Sequence, residues 1–231
     1  MEILFFLAGI CVSFLAAAIL NRMPAKCFCD YDETPDAHHQ PPRIGKWGRI
    51  ISGAVMAGGF VALQMRFGFS LTGCCLCLFC AVLMMIALSD TRYSIIPDEL
   101  IIAACILAVI ARAPDAFSGD FSPVFGALLG GGIILAINLL GRLLYKKDTL
   151  GMGDLKLMAV CGIACGTGGI LVALLSGILI AAVFFAVAIA LKRTQSDAYL
   201  PLGPFLVAGV IFTLCCQPLV DSALAWYISL I

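Results

Sequence analysis

Apolar runs of about the length of a bilayer, separated by short polar stretches, fill this chain almost from its first residue. A helix that crosses the hydrocarbon core needs about 20 mostly apolar residues, and one buried among others can be shorter. Six runs meet this plainly, at residues 3–20, 50–64, 71–89, 100–111, 124–144 and 170–191. Two are less regular: 155–165 is short and ends in glycine, and in 202–231 Pro218 could end one span and begin an interfacial piece. The expected fold class is an all-α, polytopic integral membrane protein of about eight transmembrane helices. It would form a single transmembrane domain over residues 1–231, with one polar linker at 21–49.

Composition narrows the function. The chain of 231 residues is 62% hydrophobic and 12% charged, against ~45–50% and ~25% in ordinary soluble proteins. Fourteen Lys and Arg balance fourteen Asp and Glu, so the basic surplus that a nucleic-acid binder needs is missing. Ten of the twelve cysteines lie inside apolar runs, where they read as small buried hydrophobes rather than a disulfide scaffold. The group Cys74, Cys75, Cys77 and Cys80 contains one Cys-x-x-Cys spacing that could form a disulfide or bind metal.

Lys and Arg concentrate in cytoplasmic loops. Twelve of the fourteen fall in one set of alternate loops, and only Arg66 and Arg112 fall in the other. Eight spans with both termini periplasmic fit this division. The first run looks like a signal peptide near Ala16-Ala17-Ala18, but its positive charges, Arg22 and Lys26, follow it instead of preceding it, so it is expected to stay attached. The glycines at 126, 130, 131 and 132 suit close helix packing in lipid.

A charge at membrane depth is costly, so each acid near a span needs an explanation. Asp98 and Glu99 follow Pro97 and would occupy a first helical turn, where the helix dipole favours negative charge. Asp90 sits at the opposite, C-terminal end of a span, and local structure gives no reason for it. In Gly151-Met152-Gly153-Asp154-Leu155-Lys156 two glycines and an Asp suit an N-cap with a flexible approach. The topology, however, puts Asp90 and Asp154 at one cytoplasmic depth although they are 64 residues apart. Two carboxylates brought together cannot both ionise easily, so one keeps a proton while the other acts as base toward water, the chemistry of an aspartic protease dyad. Gly151 and Gly153 could then lie against an extended substrate strand.

Asp90, Pro97-Asp98, Gly151-x-Gly153-Asp154-x-Lys156 and Leu200-Pro201-Leu202-Gly203-Pro204-Phe205 stand in the order and at the spacing of the type IV prepilin peptidases, a family of GxGD membrane proteases that the chain resembles over most of its length. The resemblance implies an inner-membrane aspartic endopeptidase with Asp90 and Asp154 as the catalytic pair, and with Asp98 and Lys156 as candidates for orienting it. It implies a prepilin or a type II secretion pseudopilin as substrate, whose short basic leader is cut after a glycine at the cytoplasmic face. It also implies that S-adenosylmethionine can serve to methylate the new N-terminus.

The chain departs from many members in the linker. Where they carry two Cys-x-x-Cys pairs, a strong zinc signature, it offers Cys27-Phe28-Cys29 with His38 and His39. Zinc is therefore not expected, proteolysis needs no cofactor, and methyltransferase activity stays open. Two other readings compete. A transporter could use Asp90 and Asp154 as proton or cation sites, although such a site belongs near the midplane and these acids lie at one interface. A non-enzymatic assembly component gives no reason for either aspartate. Membrane lipid is the other expected partner.

Overall fold

The computed structural model describes residues 2–24, 27, 45–145, 151–191 and 201–228. Among them there are helices and no strands: α1 (Glu2–Leu20), α2 (Lys46–Phe67), α3 (Leu71–Tyr93), α4 (Asp98–Phe117), α5 (Ser122–Tyr145), α6 (Met152–Ala190) and α7 (Gly203–Ile228). Helices are what lipid permits, because only a helix or a closed barrel satisfies every backbone N–H and C=O without water. Five of the seven, α1, α2, α3, α5 and α6, are long and apolar enough to cross a membrane. Large apolar side chains such as Leu4, Phe14, Ile51, Leu128, Leu143 and Val183 are exposed, the outward face that a lipid-embedded bundle presents.

The expected sixth and seventh spans are the two helical pieces of α6, which meet at a kink at Gly166. At about 1.5 Å per residue, the 39 residues of α6 would stretch roughly 58 Å, about twice the ~30 Å hydrocarbon core. Gly166, at φ 72° and ψ −178°, breaks the helix in a backbone region that only glycine adopts readily. Both halves then pack on α5. A methyl group on Gly130 would overlap the Met158 carbonyl and lie 3.0 Å from Ile170 Cγ1, while one on Gly126 would meet both Gly162 and Gly166. Positions 158 and 170 therefore lie at one level, and the chain doubles back at Gly166. Counted as straight pieces, the bundle has eight helical segments among the described residues.

Three expectations are corrected. Pro218 does not end the last helix, which runs on to Ile228. Residues 46–49 belong to α2 rather than to the polar linker, most of which lies outside the described residues. Cys11 and Cys74 are exposed instead of buried, whereas Cys75, Cys77, Cys80, Cys161 and Cys165 are buried, and all the described cysteines are free thiols.

Each interruption strands a carbonyl that must find a donor in lipid. The Ala164 carbonyl, cut off by the break at Gly166, accepts from Arg112 Nε of α4 at 2.8 Å. Beyond the break, the Thr167 N–H donates to Ser122 Oγ of α5 at 3.1 Å. The Leu214 carbonyl would ordinarily accept from residue 218, which is proline and has no N–H; Arg66 Nη1 of α2 donates to it at 3.2 Å. Arg66 and Arg112, the two cations of the charge-poor loops, thus serve helix breaks.

At the centre is α3, with 61% of its apolar window buried against 28–39% for the other four spans. Phe79, Leu83 and Ile86 are fully enclosed, and the C-terminal turn of this helix carries Asp90. The role of Arg112 can be tested by unfolding in detergent. Arg112→Met should cost about 1–3 kcal/mol, because it orphans a part-buried carbonyl. Asp115→Asn, which removes only the half-exposed acid paired with Arg112 at 2.9 Å, should cost about 0.5 kcal/mol at most. Equal losses would show that the ion pair, and not the carbonyl, is what matters.

Candidate active site

Three helix ends converge around Asp90. Helix α3 stops just past it because Ser94 takes a left-handed conformation (φ 54°, ψ 30°) and returns its N–H to the Asp90 carbonyl at 2.8 Å. Ser89 Oγ then donates to the Ile95 carbonyl at 3.0 Å, which fixes the direction of the short connection 94–97. Pro97 does not take the expected first helical position. Its carbonyl accepts from Leu100 and Ile101 at 3.1 and 3.3 Å, so it caps α4 and leaves Asp98 as the first helical residue.

Helix α6 enters the site from a second direction. Its N-cap is Gly151, in an extended conformation with no side-chain capping bond, so Asp154 is not the cap that the bare motif suggested. Asp154 lies in the first turn, three residues on, and its carboxylate accepts from the Gly151 backbone N–H. This is the returning half of a capping box, in which the acid at the third position satisfies the N-cap amide. A carboxylate there also meets the positive end of the helix dipole.

The third end is the start of α7. Gly203 is buried, and its backbone N–H hydrogen-bonds the Asp90 carboxyl. A methyl group on Gly203 would stand 2.5 Å from Asp90 Oδ2 and 3.0 Å from its Cγ, so only glycine lets α7 begin here. Asp90 is 5% exposed, and its Oδ2 is a buried oxygen without a hydrogen-bond partner among the described residues. The charges of Asp90 and Asp154 act on each other.

Of the other candidates, Asp98 and Lys156 are brought together: Lys156 Nζ donates to Asp98 Oδ1 and Oδ2 at 2.8 and 2.9 Å. The first-turn dipole is therefore not the whole account of Asp98. Gly153 packs on Ile96, whose Cβ would lie 3.1 Å from an added methyl group, so this glycine serves the approach of α6 to the 94–97 connection. Gly203 had no role assigned to it from sequence. The available signal was Gly203-Pro204, a pair suited to starting a helix, and nothing local said that Asp90 would be its neighbour.

In the linker, Cys29, His38 and His39 lie outside the described residues. The Cys27 thiol donates to Glu99 Oε1 at 3.4 Å, and no group of three or more His, Cys, Asp or Glu among the described residues is placed to hold a metal.

Comparison with known proteins falls on the same segment. Residues 77–186, which include Asp90 and Asp154, match the type IV leader peptidase family. The prepilin leader peptidase/N-methyltransferase of Xanthomonas campestris pv. campestris is 28% identical over 165 residues, 71% of this chain and 58% of that protein. The protein of the same name from Pseudomonas aeruginosa is 28% identical over 170 residues, 73% and 58% respectively, and that from Bacillus subtilis 28% over 171 residues, 74% and 66%. The chain thus spans less than two thirds of the first two relatives. No solved structure matches.

The seating of α7 on Asp90 yields a test by thermal unfolding. Gly203→Ala should cost about 1–3 kcal/mol by overpacking. Gly168→Ala, where an added methyl group meets nothing within 4 Å, should leave the midpoint nearly unchanged. A Gly203→Ala midpoint equal to wild type would mean that α7 does not begin against Asp90.

Proposed function

Residues 77–186 match the type IV leader peptidase family, and from that likeness we propose that this chain is an aspartic endopeptidase that removes the leader from prepilins or the related pseudopilins of type II secretion. The observation that carries the proposal is the meeting of Asp90 and Asp154. They arrive from different helix ends, their charges interact, and one oxygen of the buried member has no partner among the described residues. A dyad that must bind water and a scissile carbonyl needs such an oxygen.

In this reading one carboxylate takes a proton from the attacking water while the other, still protonated, donates toward the peptide carbonyl. The Gly203 and Gly151 amides hold the two acids in place, so neither has to reorganise as charge moves. Gly151 and Gly153 stand beside the dyad without side chains. There the backbone of an extended substrate can run past Gly151, while Gly153 keeps α6 close to Ile96.

The charge division supports an inner-membrane protein with both termini periplasmic and the dyad at the cytoplasmic face. Lipid surrounds the helices, and nucleic acid has no part. The decisive experiment incubates purified protein with a prepilin and reads the pilin N-terminus by mass spectrometry. Wild type should release the leader, and Asp90→Asn and Asp154→Asn should each slow cleavage by about 10²–10⁴-fold, the usual contribution of positioned acid–base groups. Near-normal cleavage by either well-inserted variant would end the proposal.

The relatives' names also include N-methyltransferase. The linker offers Cys27-Phe28-Cys29 in place of paired Cys-x-x-Cys sites, a spacing poor for a zinc knuckle. We therefore expect substoichiometric zinc by elemental analysis, and weak or no methyl transfer from S-adenosylmethionine to the new N-terminus. Robust methylation by protein holding one tightly bound zinc per chain would contradict both statements.

A further inference from the structure

We propose that the Lys156–Asp98 pair is a positioning device that sets the rotation of α6 and thereby aims Asp154 at Asp90; the proposal rests on the peptidase reading above. The geometry is that of a clamp. Asp98 opens α4, and Lys156 Nζ reaches both of its carboxylate oxygens from α6. At about 100° per residue, Lys156 and Asp154 stand about 200° apart around the helix. Holding Lys156 toward α4 therefore turns Asp154 the other way, toward the end of α3. The contact of Gly153 with Ile96, at 3.1 Å for an added methyl group, supplies the fulcrum between them.

Helix α6 also meets α5 near this depth, where the Leu155 carbonyl oxygen lies 3.9 Å from a methyl group placed on Gly131. Its closest contacts with α5, at Met158, Gly162 and Gly166, lie one to three turns further into the bundle. The N-cap Gly151 has no side chain of its own, and its amide bond to the Asp154 carboxylate holds the first turn locally. The 94–97 connection and the ion pair add to these on the side of α4.

The pair is poorly suited to a purely structural role. Its side chains are 40% and 35% exposed, and an ion pair so open to water adds little to fold stability. A misplacement of about 1 Å at a reacting group, however, can cost about 10²-fold in rate. The clamp should therefore show in the rate and hardly at all in stability.

The test uses the full-length protein in detergent or bilayers, with prepilin cleavage followed as kcat and KM and thermal unfolding measured alongside. Lys156→Met and Asp98→Asn should each lower kcat by about 10–100-fold, with KM and the unfolding midpoint little changed. The double variant should be no slower than the worse single, and Lys156→Arg, which keeps a two-pronged donor, should retain most of the rate. Single variants within twofold of wild type, losses that multiply in the double variant, or losses that follow the unfolding midpoint would each overturn the proposal.

A second readout does not depend on cleavage. Carbodiimide labelling of carboxyl groups, mapped by peptide mass spectrometry, should rise several-fold at Asp154 in Lys156→Met. Unchanged labelling would overturn the clamp. A wild-type protein that cleaves no prepilin would defeat the peptidase reading instead, with the labelling result still deciding whether the pair positions Asp154.

Discussion

In lipid an unpaired backbone group has no water to turn to, and this bundle is organised around the places where that rule is strained. A helix of 39 residues cannot lie straight in a bilayer, so it breaks at Gly166. The break exposes a carbonyl at Ala164 and an amide at Thr167, which Arg112 and Ser122 satisfy from two neighbouring helices. The missing N–H of Pro218 is made good at Leu214 by Arg66 from a third. Each repair ties one helix to another, beside the close glycine contacts of α5 and α6.

The site inherits its geometry from those ends. Nothing along the length of a regular helix offers a spare amide, whereas each N-terminus offers several. Asp90 has the first amide of α7, and Asp154 has the N-cap amide of its own helix. Two acids at the edge of lipid are costly. The helix starts that face them offset part of that cost. The same arrangement leaves Asp90 Oδ2 buried with no partner among the described residues, which is chemically useful only if something arrives to meet it.

Much of this was legible in the sequence, for identifiable reasons. Hydropathy marks spans because lipid-facing and buried residues alike are apolar, and the two aspartates stand out because apolar surroundings make an acid conspicuous. The two spans on either side of Gly166 read as separate, as they are, but period and propensity could not show that they meet there without a loop, since a break between helices and a loop between helices read alike. Asp154 was read as an N-cap because Gly151 carries no side chain to signal that it holds that place. Lys156 and Asp98 are 58 residues apart, and only the packing of α4 on α6 makes them neighbours. The closeness of Gly203 to Asp90 is likewise tertiary: glycine announces that something lies close, and never what.

The central claim is that Asp90 and Asp154 work as one unit, and the most direct measurement compares single-turnover prepilin cleavage by Asp90→Asn, Asp154→Asn and the double variant. Residues that act together lose their function with the first removal, so the double variant should cleave at the same residual rate as the slower single variant. A double variant slower by the product of the two single losses would mean that the aspartates contribute separately, and would contradict the dyad.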